Sequence, residues 1–212
     1  MRARLAINVS GIEVELREIL LREKAPQLLE ISPKATVPVL VETNGTVIEE
    51  SLEIMDWALS VNDPELWLMP TVGNLQQMRV LVEQCETKFK PHLDRYKYSN
   101  RYQDVDSNKE RELACNFLWN LEKRLGSNEF LFGSRISFAD MAIVTFVRQF
   151  ANVDRQWFDR VEWPELHRWL LVFLESEKFN AIMDKYPIWQ SGDEITIFGN
   201  QNMDDALDRL RS

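Results

Sequence analysis

The sequence predicts a mixed α/β domain followed by an all-helical domain. Residues before about position 60 alternate between short helical patterns and β-branched runs, whereas later apolar residues recur at spacings of three and four. The stretch between the two patterns contains prolines and a glycine that interrupt any period. We therefore expect a first domain over residues 1–60, a linker over 61–73, a helical domain over 74–190 and a tail over 191–212.

Composition limits the classes of function. The chain has 212 residues, of which 45% are hydrophobic, so it can bury a sizeable core. A formal net charge of -9 opposes nucleic-acid binding, because phosphates attract clustered positive charge. No apolar run approaches the roughly 20 residues that span a bilayer, and no signal-peptide core is present, which predicts a cytoplasmic protein without a membrane partner. Two cysteines and two histidines lack zinc-ligand spacing, so we expect no metal.

The first domain begins with alternating helix and strand patterns. Arg2–Ser10 has one apolar helical face, and Gly11 follows where a helix commonly ends in a left-handed residue. Glu13–Leu20 alternates polar and apolar residues, which predicts a half-buried strand. A short helix is expected within 24–31, between two prolines.

A β-hairpin and a helix complete this domain. The apolar runs 37–41 and 46–49 flank the dipeptide Asn44-Gly45, which is the strongest short signal for a hairpin. Ser51 then follows as the predicted cap of a helix whose apolar residues run to Leu59.

The second domain is predicted to be helical throughout. A long apolar stripe begins after Asn74 and is kinked or ended near Pro91. The next helix is expected to begin at Ser107 and to stop at Gly126. Trp163-Pro164 opens a further helix, and a shorter one follows over 175–185.

Ser137 and Asp140 predict the start of another helix in this domain. Their three-residue spacing is that of a capping box, in which each residue satisfies a backbone N–H of the other. We interpret the pair as structural caps rather than catalytic residues.

The order of four short motifs resembles the glutathione S-transferase superfamily, in particular its bacterial, omega-like members with a catalytic cysteine. The motifs are Val37-Pro38, Glu50-Ser51, the run Ser137–Asp140 and Trp163-Pro164, and they cover nearly the whole chain. The resemblance implies a thioredoxin-like first domain, a helical second domain and a homodimer. It also implies glutathione as co-substrate, with a small electrophile or disulfide as second substrate.

The resemblance assigns glutathione-binding roles to four residues. Pro38 would be a cis-proline that presents the backbone of Val37 to the cysteinyl part of glutathione, like an added strand. Glu50 would face the γ-glutamyl ammonium, and Ser51 with the helix N-terminus would hold the γ-glutamyl carboxylate. Alternatively, Ser51 is only a helix cap and Glu50 only a solvated charge.

Further roles implied by the resemblance rest on less specific residues. Lys24 stands where omega-like members place a lysine toward the glycyl carboxylate, although a solvated surface charge is an equal alternative and Arg22 competes for the role. Three residues on the second domain's first long helix, Arg95, Tyr96 and Tyr98, would line the pocket of the electrophile. The solvated end of an amphipathic helix is an equal alternative for them.

The chain departs from the family pattern at its start. Met1–Leu5 resembles the middle of the family's first helix, so we expect the central strand and the nucleophile, a cysteine by this resemblance, to lie upstream of Met1. A cysteine implies thiol transfer, and a serine or tyrosine implies conjugation. The alternative is a non-catalytic binding or regulatory protein that keeps the fold without the nucleophile.

Overall fold

A computed structural model describes residues 1–199 of the chain. Its contacts divide into two compact units, of which one is Met1–Glu65 with the described part of Glu177–Ser212 and the other is Leu66–Ser176. The first unit mixes helices with strands and the second is helical. None of the helices within residues 1–199 combines the length and apolar character that a bilayer crossing requires.

The first unit is built around two packed helices. Its elements up to residue 61 are α1 (Arg2–Ser10), β1 (Val14–Glu15), α2 (Pro26–Ile31), β2 (Leu40–Val41), β3 (Val47–Ile48) and α3 (Ser51–Val61). Helix α1 packs against α3 through small and apolar side chains, among them Leu5, Ala6, Met55 and Ala58. Gly11 ends α1 at φ 68°, the left-handed geometry that its position predicts.

The second unit consists of helices with a single buried core. In chain order they are α4 (Leu75–Gln84), α5 (Lys90–Lys97), α6 (Ser107–Leu125), α7 (Phe138–Ala151), α8 (Arg155–Phe158) and α9 (Pro164–Leu174). Asn74 and Gln77 form the predicted capping box before α4. Helix α7 is the most buried of these helices, because 12 of its residues are shielded from solvent.

The predicted kink near Pro91 takes the form of a π-helical turn. Cys85–Phe89 forms this turn between α4 and α5, and Pro91 follows in the first turn of α5. Proline cannot donate a backbone hydrogen bond within a helix, so the helical hydrogen bonding must adjust just before Pro91.

The cap of α6 differs from the prediction, since Asp106 rather than Ser107 accepts the first-turn N–H groups.

Within residues 1–199, the strands form two separate two-stranded sheets. Strands β2 and β3 pair antiparallel, with Val41 opposite Val47, which confirms the predicted hairpin. Two further elements return to the first unit after residue 176, namely α10 (Glu177–Met183) and β4 (Ile197–Phe198). Strand β4 pairs antiparallel with β1.

The predicted strand over Glu13–Leu20 is wrong in length. Only Val14–Glu15 forms a strand, because its partner is short. Beyond it the contacts are isolated, with Leu16 donating to the Thr196 carbonyl and Trp189 donating to the Glu18 carbonyl, both at 2.8 Å. Strand β4 lies within the predicted tail over 191–212. Residues 200–212 of that tail lie outside the described residues.

The boundaries of the two units differ from the predicted domain boundaries in two places. Trp67, within the predicted linker, is completely buried, and its carbonyl accepts a hydrogen bond from the Phe138 N–H. The segment from Leu66 onward is therefore part of the helical unit. Helix α10, predicted as part of the helical domain, belongs to the first unit because it packs against α1.

Candidate functional site

The start of α3 is the centre of the candidate site. Ser51 is the first residue of this helix and Glu50 is its N-cap, so the prediction that Ser51 caps α3 is wrong by one position. The Glu50 side chain makes no cap hydrogen bond. The N–H groups of the first turn are thus left without a side-chain cap, and with the helix dipole they favour an anionic ligand.

Arg2 brings a positive charge to the same place. Its guanidinium Nη2 donates a hydrogen bond of 2.8 Å to the Ser51 hydroxyl oxygen. The contact joins residues 49 positions apart in the sequence and is partly buried. The first residues of α1 and α3 therefore lie together, with a cation beside a helix N-terminus.

Glu50 belongs to a small network of charged residues. The Lys34 ammonium lies 3.4 Å from a carboxylate oxygen of Glu49 and 3.6 Å from one of Glu50. The buried Ser32 hydroxyl donates to Glu49 at 2.5 Å. This hydrogen bond, together with the charge of Lys34, lowers the pKa of Glu49, and Glu49 in turn raises the pKa of Lys34. The Glu50 carboxylate is 62% exposed and can meet a ligand from solvent.

The backbone at Val37 is open to an added strand. The peptide bond between Val37 and Pro38 is cis, as the resemblance implies. Val37 is exposed and precedes β2, so it lies outside both sheets. Among the described residues its N–H and C=O have no hydrogen-bond partner. An extended peptide could satisfy both groups.

Lys24 lies in the loop before α2, and no described hydrogen bond or ion pair joins it to Glu50 or Ser51. Arg22, its competitor, is exposed in the same loop. The contribution of Lys24 to glutathione binding stays a prediction.

The three residues predicted for the electrophile pocket have different surroundings in the second unit. Tyr96 is only 7% exposed, its ring packs 5.3 Å from that of Phe150, and burial raises its pKa. Arg95 points to Glu110 at 3.8 Å, and Tyr98 lies under the Arg101 guanidinium at 4.2 Å. Arg95 and Tyr96 are adjacent on α5 and point in different directions, and Tyr98 lies beyond the end of that helix. Their role as a pocket stays a prediction.

Neither cysteine has the environment of a nucleophilic thiol. Cys85 is buried in the core, and burial raises the pKa of Cys115 to about 11. A reactive thiol needs a lowered pKa, because the thiolate is the attacking species.

Within residues 1–199, no three or more His, Cys, Asp or Glu side chains are grouped so as to hold a metal ion.

Sequence comparison finds two family profiles in this chain. The family described as glutathione S-transferase, N-terminal domain, matches residues 1–65, and glutathione S-transferase, C-terminal domain, matches residues 120–171. The chain is 30% identical over 156 residues to probable glutathione S-transferase MSR-1 of Nicotiana plumbaginifolia, which covers 73% of this chain and 69% of that one. It is 29% identical over 181 residues to probable glutathione S-transferase parA of Nicotiana tabacum, which covers 84% and 80% respectively.

Structure comparison gives the same result at the level of the fold. The glutathione transferase URE2P6 from Phanerochaete chrysosporium, solved in complex with oxidized glutathione, superposes with a TM-score of 0.72 at 18% identity. The alignment covers 85% of this chain and 88% of that structure.

Fold and sequence together define a two-domain protein with a small thioredoxin-like N-terminal domain and a helical C-terminal domain. The chain belongs to the glutathione S-transferase superfamily, as the motif order predicts.

Proposed function

We propose that this protein binds glutathione at the start of α3 and uses it as co-substrate, either in thiol transfer and reduction or in conjugation of a small electrophile. Members of this family bind glutathione and electrophilic substrates. In this proposal Ser51 and the first turn of α3 hold the γ-glutamyl carboxylate, and Glu50 holds its ammonium. Val37 pairs with the cysteinyl backbone, and Lys24 contributes to the glycyl carboxylate. The proposal includes a cytoplasmic location and a homodimer.

One observation carries this proposal: the uncapped start of α3 has a carboxylate and a serine hydroxyl side by side, and the same unit has a backbone edge at Val37 that no described residue pairs with. An amino-acid head group presents a carboxylate and an ammonium together, so it matches a helix N-terminus next to Glu50. The peptide part of glutathione supplies the N–H and C=O that an open edge requires.

Binding of reduced glutathione, measured by isothermal titration calorimetry, tests the site. Ser51→Ala removes a hydroxyl bound to the carboxylate, and we expect its affinity to fall about tenfold, the value of one charge-assisted hydrogen bond. Ser60→Ala is the matched control, because Ser60 lies at the other end of α3 and its hydroxyl donates to the Trp57 carbonyl. Equal affinity of the wild type and Ser51→Ala, or no binding by the wild type, would contradict the proposal.

Turnover assays separate the two reactions from the non-catalytic alternative. A disulfide substrate reports thiol transfer, and an aryl halide reports conjugation. Glutathione binding without turnover of either substrate supports a binding or regulatory protein. The raised pKa of Cys115 and the burial of Cys85 favour this candidate over thiol transfer by these two cysteines.

A further inference from the structure

Arg2 occupies a fixed position beside Ser51. It is the first residue of α1, as Ser51 is of α3, and the two helices pack closely through a buried apolar interface. The guanidinium is thus placed by helix packing rather than by a loop. The 2.8 Å hydrogen bond to the Ser51 hydroxyl is the result of this placement.

The direction of that hydrogen bond determines what Ser51 can do next. Arginine only donates, so the Ser51 oxygen accepts, and the proton of the Ser51 hydroxyl remains available for donation to another acceptor. A carboxylate at the start of α3 is such an acceptor. Arginine is also charged at every accessible pH and contributes a positive charge at this end of the helix.

We propose that Arg2 is a positioning residue for carboxylate recognition: it orients the Ser51 hydroxyl and adds the charge that selects a γ-glutamyl group. The inference deepens the proposed function and rests on it. It makes a specific claim about ligands, because the effect of Arg2 is confined to those that carry the γ-glutamyl carboxylate.

A double-mutant cycle tests this coupling. Affinity for reduced glutathione is measured by calorimetry for the wild type, Arg2→Gln, Ser51→Ala and the double variant. We expect each single change to weaken binding about tenfold. The double variant should be clearly less than a hundredfold weaker, because Arg2 acts partly through Ser51. Arg2→Lys keeps the charge without the planar fork and should recover part of the loss.

Arg4→Gln is the matched control, since it changes the same charge in the same helix. Arg4 bonds to Glu18 and lies over the rings of Tyr186 and Phe198, and none of these contacts involves Ser51. We expect this variant to bind glutathione like the wild type.

Cysteinylglycine, which lacks the γ-glutamyl group, serves as the second probe. Arg2→Gln should bind it as the wild type does, whereas an equal loss for both ligands would mean a general structural role and overturn the inference. Equal affinity of Arg2→Gln and the wild type for glutathione, while Ser51→Ala is weakened, would overturn the inference and leave the proposed function standing. A wild type that binds no glutathione would contradict both the inference and the proposed function.

Discussion

Asp140 is a buried carboxylate that holds three segments of the helical unit together. One oxygen accepts hydrogen bonds from the Leu131 N–H at 2.9 Å and the Trp169 indole N–H at 2.8 Å. The other accepts from the Ser137 N–H at 2.9 Å and the Ser137 hydroxyl at 2.6 Å. Burial raises the pKa of Asp140, and these four hydrogen bonds oppose that shift. The structural interpretation of Ser137 and Asp140 agrees with this geometry.

Asp140→Asn is expected to destabilise the protein by on the order of 3 kcal/mol, because the amide nitrogen would face a backbone N–H, which can only donate, at either oxygen position. The free energy of unfolding from urea titration measures this change. Asp94→Asn is the control, since Asp94 pairs with Lys90 near the surface and should change stability little. A loss as small for Asp140→Asn as for Asp94→Asn would show that the carboxylate does not organise the core.

Sequence motifs identified some residues at the start of α3 and missed others. Glu50 and Ser51 are adjacent and follow a hairpin, so a local pattern finds them. Arg2 has no local signal, because its contact with Ser51 depends on how α1 packs against α3. Lys34 was missed for a similar reason, because no sequence pattern predicts its ion pair with Glu49, which depends on the fold.

Among elements, helices were predicted better than strands. Helix ends carry their own chemistry, as Gly11 and Pro164 show, and these signals act within a few residues. A strand exists only if another strand pairs with it. The pairing of β1 with β4 joins segments far apart in the sequence, so neither the short length of β1 nor the existence of β4 follows from local alternation.

Phe198→Ala tests how far β4 supports β1. Phe198 is 5% exposed and packs against Tyr186 with ring centroids 6.3 Å apart, so its removal leaves a cavity that costs about 3 to 5 kcal/mol. We expect faster hydrogen exchange in peptides containing Leu16, whose N–H donates to Thr196. Ile195→Ala, at a side chain that is 68% exposed, is the control and should leave exchange unchanged. Unaltered protection in Phe198→Ala would mean that β1 is held by other contacts.

At the scale of the whole molecule, the order of motifs was enough to place the chain in its superfamily. It was not enough to place α10, because a short helix with one apolar face can pack on either unit. Contact with α1 places α10 in the first unit, and the apolar spacing within a helix does not predict such a long-range contact. The net charge of -9 belongs to the molecule as a whole and continues to argue against a nucleic-acid partner.

The last prediction concerns assembly. The proposed function includes a homodimer, and the hairpin presents an apolar pair to solvent, since Val41 and Val47 lie opposite one another and are 47% and 38% exposed. Contiguous exposed apolar surface favours association. We expect light scattering to give about 50 kDa, twice the 25.0 kDa chain.

Val47→Glu should shift this mass toward the monomer if the hairpin contributes to the interface, because an unpaired charge is costly to bury. Ile195→Glu adds the same charge at a highly exposed position just before β4 and serves as the control. A wild-type mass near 25 kDa at every protein concentration would contradict the dimer. A dimeric Val47→Glu variant would retain the dimer but exclude the hairpin from its interface, because a glutamate buried there without a partner would weaken association measurably.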